Sequence, residues 1–228
     1  MSPLHRIASR VTLAALTTLA FPLATLGAQA SAVELEHEAK HHLVLSNDYV
    51  RLYNVIVPAG DSTLYHKHPD DYAFITFGAV GLKSQMLGGK KSDLKIADGE
   101  VRFTKAPIAH RVLNPSNTEF HNLSIDIMKS NGVPLATPPG GTVVLDNAKL
   151  RVVRITLEPG QSSVKHVHAG PGLDVAVHPA QFDVIGANGA VEHKTMPTAG
   201  FEWNAAPRTH TIKNTGKSRL EIVEFEWK

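Results

Sequence analysis

The chain has 228 residues, of which 19% are charged, with 13 histidines and no cysteine. Two of its 23 basic residues, Arg6 and Arg10, belong to an N-terminal leader, and the remaining 21 match the 21 acidic residues. A neutral chain without a basic block offers no electrostatic footprint for nucleic acid or anionic lipid, and the lack of cysteine excludes disulfides, thiolate ligands and a cysteine nucleophile together.

The first 30 residues read as a secretory signal peptide. Arg6 and Arg10 precede an apolar run over 11–26, and Ala28-Gln29-Ala30 supplies a small-x-small cleavage signal. Thr17, Thr18, Pro22 and Thr25 interrupt the run, which falls short of the roughly 20 apolar residues a span needs. The expectation is a mature chain beginning at Ser31, periplasmic or secreted, with no membrane attachment after cleavage. Next comes His37-Glu38-Ala39-Lys40-His41, the His-Glu-x-x-His pattern of zinc proteases. That chemistry needs a stable helix, and here the pattern lies near the mature N-terminus and runs into an expected strand at 43–45. A solvated polar arm is expected instead.

Beyond the arm, helix signals are scarce. Segments 49–57, Tyr72–Phe77, Val101–Thr104, Phe120–Ile127, 149–157 and 218–227 are short and rich in β-branched and aromatic residues. Turn formers separate them, as in Pro58-Ala59-Gly60-Asp61 and Glu158-Pro159-Gly160, which is the spacing of an all-β sandwich or barrel. The stretch 129–142, with Pro134, Pro138, Pro139, Gly140 and Gly141, reads as a linker between a domain at 37–130 and another at 141–228.

The two halves repeat each other. His66-Lys67-His68 recurs as His166-Val167-His168, and Asn47, Arg51, Gly60, Pro107, His110 and Asn114 recur as Asn147, Arg151, Gly160, Pro207, His210 and Asn214, without a gap. One structural unit has been used twice. Chance alone yields roughly 0.7 His-x-His triplets in a chain of this histidine content, so one triplet means little, and two in register mean much. In a strand, residues i and i+2 share a face, so His66 and His68 point the same way and Lys67 the other.

The repeated unit resembles the cupin family. Gly60, five residues, His66 and His68 follow that family's first motif, and His110 with three residues to Asn114 follows its second; Gly160, His166, His168, His210 and Asn214 repeat both. The resemblance implies an all-β chain of two tandem cupin barrels, double-stranded β-helices of jelly-roll type, hence a bicupin. Neither copy carries the first motif's glutamate. Tyr72 or Ala73 stands at its place in copy one, with Asp71 adjacent, and Gly172 or Leu173 in copy two, with Asp174 next along.

Three imidazoles meeting in a barrel suit a divalent transition metal (Fe, Mn, Ni, Cu or Zn) and leave positions open for water or substrate. The expected ligands are His66, His68 and His110, and His166, His168 and His210. A site without a carboxylate keeps the ion's full charge and favours an anionic chelating ligand. Asp71 and Tyr72 are the nearest candidates for catalytic proton transfer. Phe103 and Trp203 are expected in the barrel cores, and His178 and His193 on the surface or in loops, with His178 able to approach the second pocket. Asn122-Leu123-Ser124, a glycosylation pattern inside an expected strand, is treated as chance. The resemblance implies a dioxygenase, decarboxylase or isomerase acting on a small anionic or phenolic compound; the alternative is a non-catalytic protein that binds metal or a small ligand. The partner is a small molecule, and the chain is a monomer or homodimer.

Overall fold

The computed structural model describes residues 31–132, 140–205 and 207–228. The expected signal peptide and residues 133–139 of the expected linker lie outside these residues. The segments read as strands are strands to within two residues, and among the described residues no helix is long and apolar enough to cross a membrane.

Each half folds into two facing sheets. In the first barrel one sheet runs in the order Val33–Glu34, His66–His68, Ile108–Leu113, Val80–Met86, Lys91–Ile96, and the other His41–Ser46, Val50–Val57, Phe120–Ile127, Tyr72–Phe77, Val101–Thr104. The second barrel repeats this with Thr142–Asp146, Leu150–Leu157, Leu220–Trp227, Gly172–Ala176, Phe201–Asn204 in one sheet and His166–His168, Arg208–Asn214, Ala180–Gly186, Val191–Met196 in the other. All pairings are antiparallel except that of Val33–Glu34, which joins Lys67 and its neighbour in parallel.

Strand alternation divides the apolar residues into three cores. On Val50–Val57, Tyr53, Val55 and Val57 face the first barrel's interior, while Val50 and Leu52 face outward. On Leu150–Leu157, Val153, Ile155 and Leu157 face the second interior, while Val152 and Leu150 face outward. The outward residues of both barrels form a single buried cluster, with Ile75, Ile125, Leu173 and Phe225 among its fully buried members. Each such side chain contributes about 1.5–3 kcal/mol when buried, so two outer sheet faces that would be apolar patches on separate barrels hold the barrels together. Phe103 and Trp203, expected inside the barrels, pack against this shared face instead, because they pair in register with Ala73 and Leu173, both members of that cluster. Across the join, Trp227 Nε1 donates to Tyr49 O at 3.2 Å and Asn131 N to Lys228 O at 2.7 Å.

The repeated turn formers hold matching latches. Asn47 Oδ1 accepts from the Tyr49 and Val50 amides, and Asn147 Oδ1 from the Lys149 and Leu150 amides. Asn114 Nδ2 donates to Val57 O and Thr118 O, as Asn214 Nδ2 does to Leu157 O and Ser218 O. Gly60 and Gly160, at φ of 75° and 81°, donate their amides to the carbonyls of Asn114 and Asn214; that left-handed conformation favours glycine. These latches tie the turn before each His-x-His strand to the end of the strand carrying the third histidine.

Candidate metal centres

In the second barrel the register pairs His166 with His210 across neighbouring strands, and His168 follows on the same face. His210 Nε2 lies 2.8 Å from His166 Nε2 and 3.2 Å from His168 Nε2. Glu224 Oε1 approaches from the facing sheet, 3.4, 3.5 and 3.6 Å from the Nε2 atoms of His166, His168 and His210. Four ligands held tetrahedrally at about 2.0–2.1 Å from a zinc-like ion stand about 3.3–3.4 Å apart, so these spacings are those of a coordination shell. The His166 Nδ1–H donates to Val164 O at 3.0 Å. A carbonyl only accepts, so Nε2 is left as the lone pair aimed inward.

The charges around this set are strongly coupled. Burial opposes ionisation of His168, yet Glu224 and Glu226 outweigh it and push the imidazole up to about 9. Burial alone would raise Glu224, but the surrounding imidazoles hold its carboxyl well below the usual carboxylate range. His168 Nδ1 lies 3.0 Å from Glu226 Oε1, and Arg151 Nη2 donates to the same carboxylate oxygen at 3.0 Å. Beside this set lies an ion pair, Arg208 Nη2 to Asp174 Oδ1 at 2.6 Å, joined by Asn204 Nδ2 at 3.2 Å. Burial raises Asp174, as does neighbouring Glu224, while Arg208 lowers it.

The first barrel sets the rings of His66, His68 and His110 in a similar triangle. Their ring centroids are 4.6, 5.1 and 5.4 Å apart, against 4.4, 5.0 and 5.1 Å for the second trio. His66 Nδ1–H donates to Leu64 O at 3.0 Å, again leaving Nε2 free, and His110 Nε2 is buried without a hydrogen-bond partner. An orphaned imidazole nitrogen in a buried triad is what an ion would satisfy. Burial, followed by the neighbouring imidazoles, pushes His66 down to about 2 and His110 to about 3. The position matching Glu224 is Ser124, which supplies no carboxylate.

What differs is the set of side chains beside the trio. A cavity of about 320 Å³ opens here, at the lower end of small-molecule sites, and Phe74, Leu94 and Ile108 are among its apolar lining. Their counterparts in the second barrel are Asp174, Lys194 and Arg208, the very residues whose charges pair up there. Tyr72 lines the cavity and stacks on His68, centroids 3.9 Å apart and planes 14° from parallel. Lys90 and Arg102 line it from beside the edge strands Lys91–Ile96 and Val101–Thr104.

Four expectations need correction. Asp71 is drawn away from the cavity: its Oδ1 accepts from Ala106 N at 2.8 Å and its Oδ2 lies 3.2 Å from Lys149 Nζ of the other barrel, so it acts in the join. Tyr72 does reach the cavity, but burial pushes its phenol up to about 12, so it is a hydrogen-bond donor at neutral pH and no base. The arm at 37–41 is only partly solvated. Leu35 enters the core, Glu38 is 2% exposed, and His41 lines the cavity with its ring 4.5 Å from that of His66. The His-Glu-x-x-His spacing has no helix here, only a 3-10 turn over Leu35–His37, and His37 stays exposed. His178 does not approach the second pocket but pairs with Asp98 of the first barrel at 3.2 Å.

Sequence reasoning missed Glu224, Glu226 and Glu38. Glu224 has no acidic counterpart in copy one, so the repeat hides it. The available signal was that Glu224 and Glu226 share strand parity with apolar Leu220 and Ile222, a pattern that costs stability unless the carboxylates find partners inside.

No protein-family model matches the sequence, and no curated protein matches it. Solved structures do match. AerE from Microcystis aeruginosa is similar over 84% of this chain and 98% of its own, with a TM-score of 0.60 and 10% identity. A mutant of Bacillus subtilis oxalate decarboxylase is similar over 79% of this chain and 69% of its own, TM-score 0.55 and 10% identity. A cupin 2 conserved barrel domain protein from Leptotrichia buccalis gives 82% and 88%, TM-score 0.53 and 11% identity. At such identities the likeness is one of fold. The chain has the two-barrel cupin fold, a bicupin architecture.

Proposed function

We propose that this protein is an exported metal-dependent cupin whose first barrel acts on a small organic anion or phenolic compound, in a dioxygenase, decarboxylase or isomerase type of reaction. The observation that carries the reading is the pairing of an inward imidazole trio, His66, His68 and His110, with a cavity of about 320 Å³. A divalent ion there would supply Lewis acidity at the trio's focus. The neutral imidazoles leave the ion's charge uncompensated, which favours an anionic chelating group on the ligand. The apolar walls accept the ligand's body, and Lys90 and Arg102 bring cationic groups to the cavity lining. Arg102 is held for this by Glu100 at 2.7 Å and the Lys95 carbonyl at 2.6 Å. Tyr72, protonated and stacked on His68, is placed to donate a hydrogen bond to a bound oxyanion.

The second barrel supports a different role. Its donor set is completed by Glu224 and flanked by the part-buried Arg208–Asp174 pair, so it fits a closed site that holds an ion without processing a ligand. Export is supported by the leader's arginines, apolar run and small-x-small signal.

The test is metal quantification on purified protein, on the His66/His68/His110 triple alanine variant and on the His166/His168/His210 variant, with turnover of a panel of keto acids and phenols. Two ions per chain, each lost with its own trio, and activity lost only with the first would support the reading. Substoichiometric metal indifferent to both variants would overturn it, and metal without turnover of any anion would leave a binding protein.

A further inference from the structure

The two barrels complete their sites differently. Glu224 pairs in register with Asp174, whereas the residue paired with Phe74 at the same place in the first barrel is Ser124. Conversely, the first barrel has an imidazole that the second lacks, delivered by the N-terminal arm. We propose that His41 is the fourth ligand of the ion held by His66, His68 and His110, and that Glu38 is its positioning residue. This rests on reading the first barrel as a metal centre.

Three observations support it. Ring nitrogens of His41, His66 and His68 all lie within 4.8 Å of one another, and the His41 side chain is only 5% exposed. Its tautomer is set: Glu38 accepts hydrogen bonds from the Lys40 and Leu64 amides at 3.0 and 3.1 Å, which marks it as an ionised acceptor. Glu38 Oε2, 2.6 Å from His41 Nδ1, therefore takes that N–H and leaves Nε2 as a lone pair on the cavity side. The arm is also built to stay. It pairs in parallel with His66 and Lys67, seats Leu35 in the barrel core, and buries a carboxylate whose hydrogen bonds all serve to hold His41 and the entry to the His66 strand.

The second barrel closes off the same option. Gly141 stands where His41 does in the repeat, and a Cβ on neighbouring Gly140 would come within 2.6 Å of the His166 ring. The exchange of Glu224 for His41 changes the charge as well as the ligand. Four neutral imidazoles leave +2 on a divalent ion where three imidazoles and a carboxylate leave +1, so the anion-seeking centre is the one beside the cavity.

The test uses the full mature chain loaded with Co(II). The chain has no cysteine of its own, so in His41→Cys a thiolate-to-cobalt charge-transfer band in the near ultraviolet has a single source. That band is expected, as it is in His110→Cys. By chelator competition, Glu38→Gln should weaken the first site by roughly 10–100-fold, the usual cost of losing a carboxylate behind a ligating histidine, with the second site unchanged. A band in His110→Cys but none in His41→Cys, with Glu38→Gln at wild-type affinity, overturns the assignment of His41 while leaving the metal centre standing. No band in either variant, and no ion lost in His66→Ala, overturns both.

Discussion

Loading the second barrel with metal should release a proton, and loading the first should not draw one from His66 or His110. Without metal, His168 sits between Glu224 and Glu226 and titrates at about 9. A metal needs its Nε2 as a lone pair, so the proton must leave. At pH 7 that competition lowers the apparent affinity by about 100-fold, or about 2.7 kcal/mol, and the affinity should rise about tenfold between pH 7 and 8. In the first barrel, His66 at about 2 and His110 at about 3 are already neutral and have no proton to give up. The assay is calorimetric titration with Zn(II) at pH 7 in buffers of different ionisation enthalpy, run on the wild type and on His66→Ala/His110→Ala. One proton released by the second site should persist in that variant, and Glu226→Gln, which removes one of the two carboxylates facing His168, should reduce it. Metal uptake at the second site with no proton release, and an affinity flat from pH 7 to 8, would refute the charge reading of this barrel.

Metal-free protein should lose stability at both ends of the pH range. His66 and His110 have folded values below their ordinary 6.5, so as pH falls below 6.5 the unfolded chain takes up protons that the native state does not, costing about 2 kcal/mol each at pH 5; His168 has a raised value, so its contribution is present below 6.5 and lost as pH rises through about 9. Melting curves of chelator-treated protein should therefore peak between these limits, and His168→Ala should flatten the alkaline limb. Arg208→Ile leaves Asp174 buried without its cation and should cost about 3–5 kcal/mol, whereas Arg208→Ile/Asp174→Phe, which installs the first barrel's residues, should recover most of it; urea unfolding of the three proteins measures the coupling. Trp227→Ala empties a fully buried site in the shared core and should cost about 3–5 kcal/mol, with both barrels still melting in one transition; two separate transitions in the wild type would show that the barrels do not stabilise each other.

The repeat made the fold and the two histidine trios legible, because turn formers and inward histidines leave fixed marks at fixed spacing. Asn114 and Asn214, for example, recur because each closes the same latch. What stayed hidden were the residues by which the barrels differ. Glu224 reaches its site only through pairing of distant strands, and the copy-one residue at that position is a serine. His41 sits in a pattern whose familiar reading requires a helix, so its spacing pointed away from the strand that delivers it. Asp71 looked like a site residue by counting along the chain, yet its side chain turns to Lys149 in a second barrel that counting cannot see.

The most direct measurement is an anomalous-difference map from crystals grown with a divalent transition metal. The structure predicts one peak bounded by the Nε2 atoms of His166, His168 and His210 with Glu224 Oε1, and a second at the focus of His66, His68 and His110. Full-occupancy metal found only at surface carboxylates, with both histidine trios empty, would contradict the account.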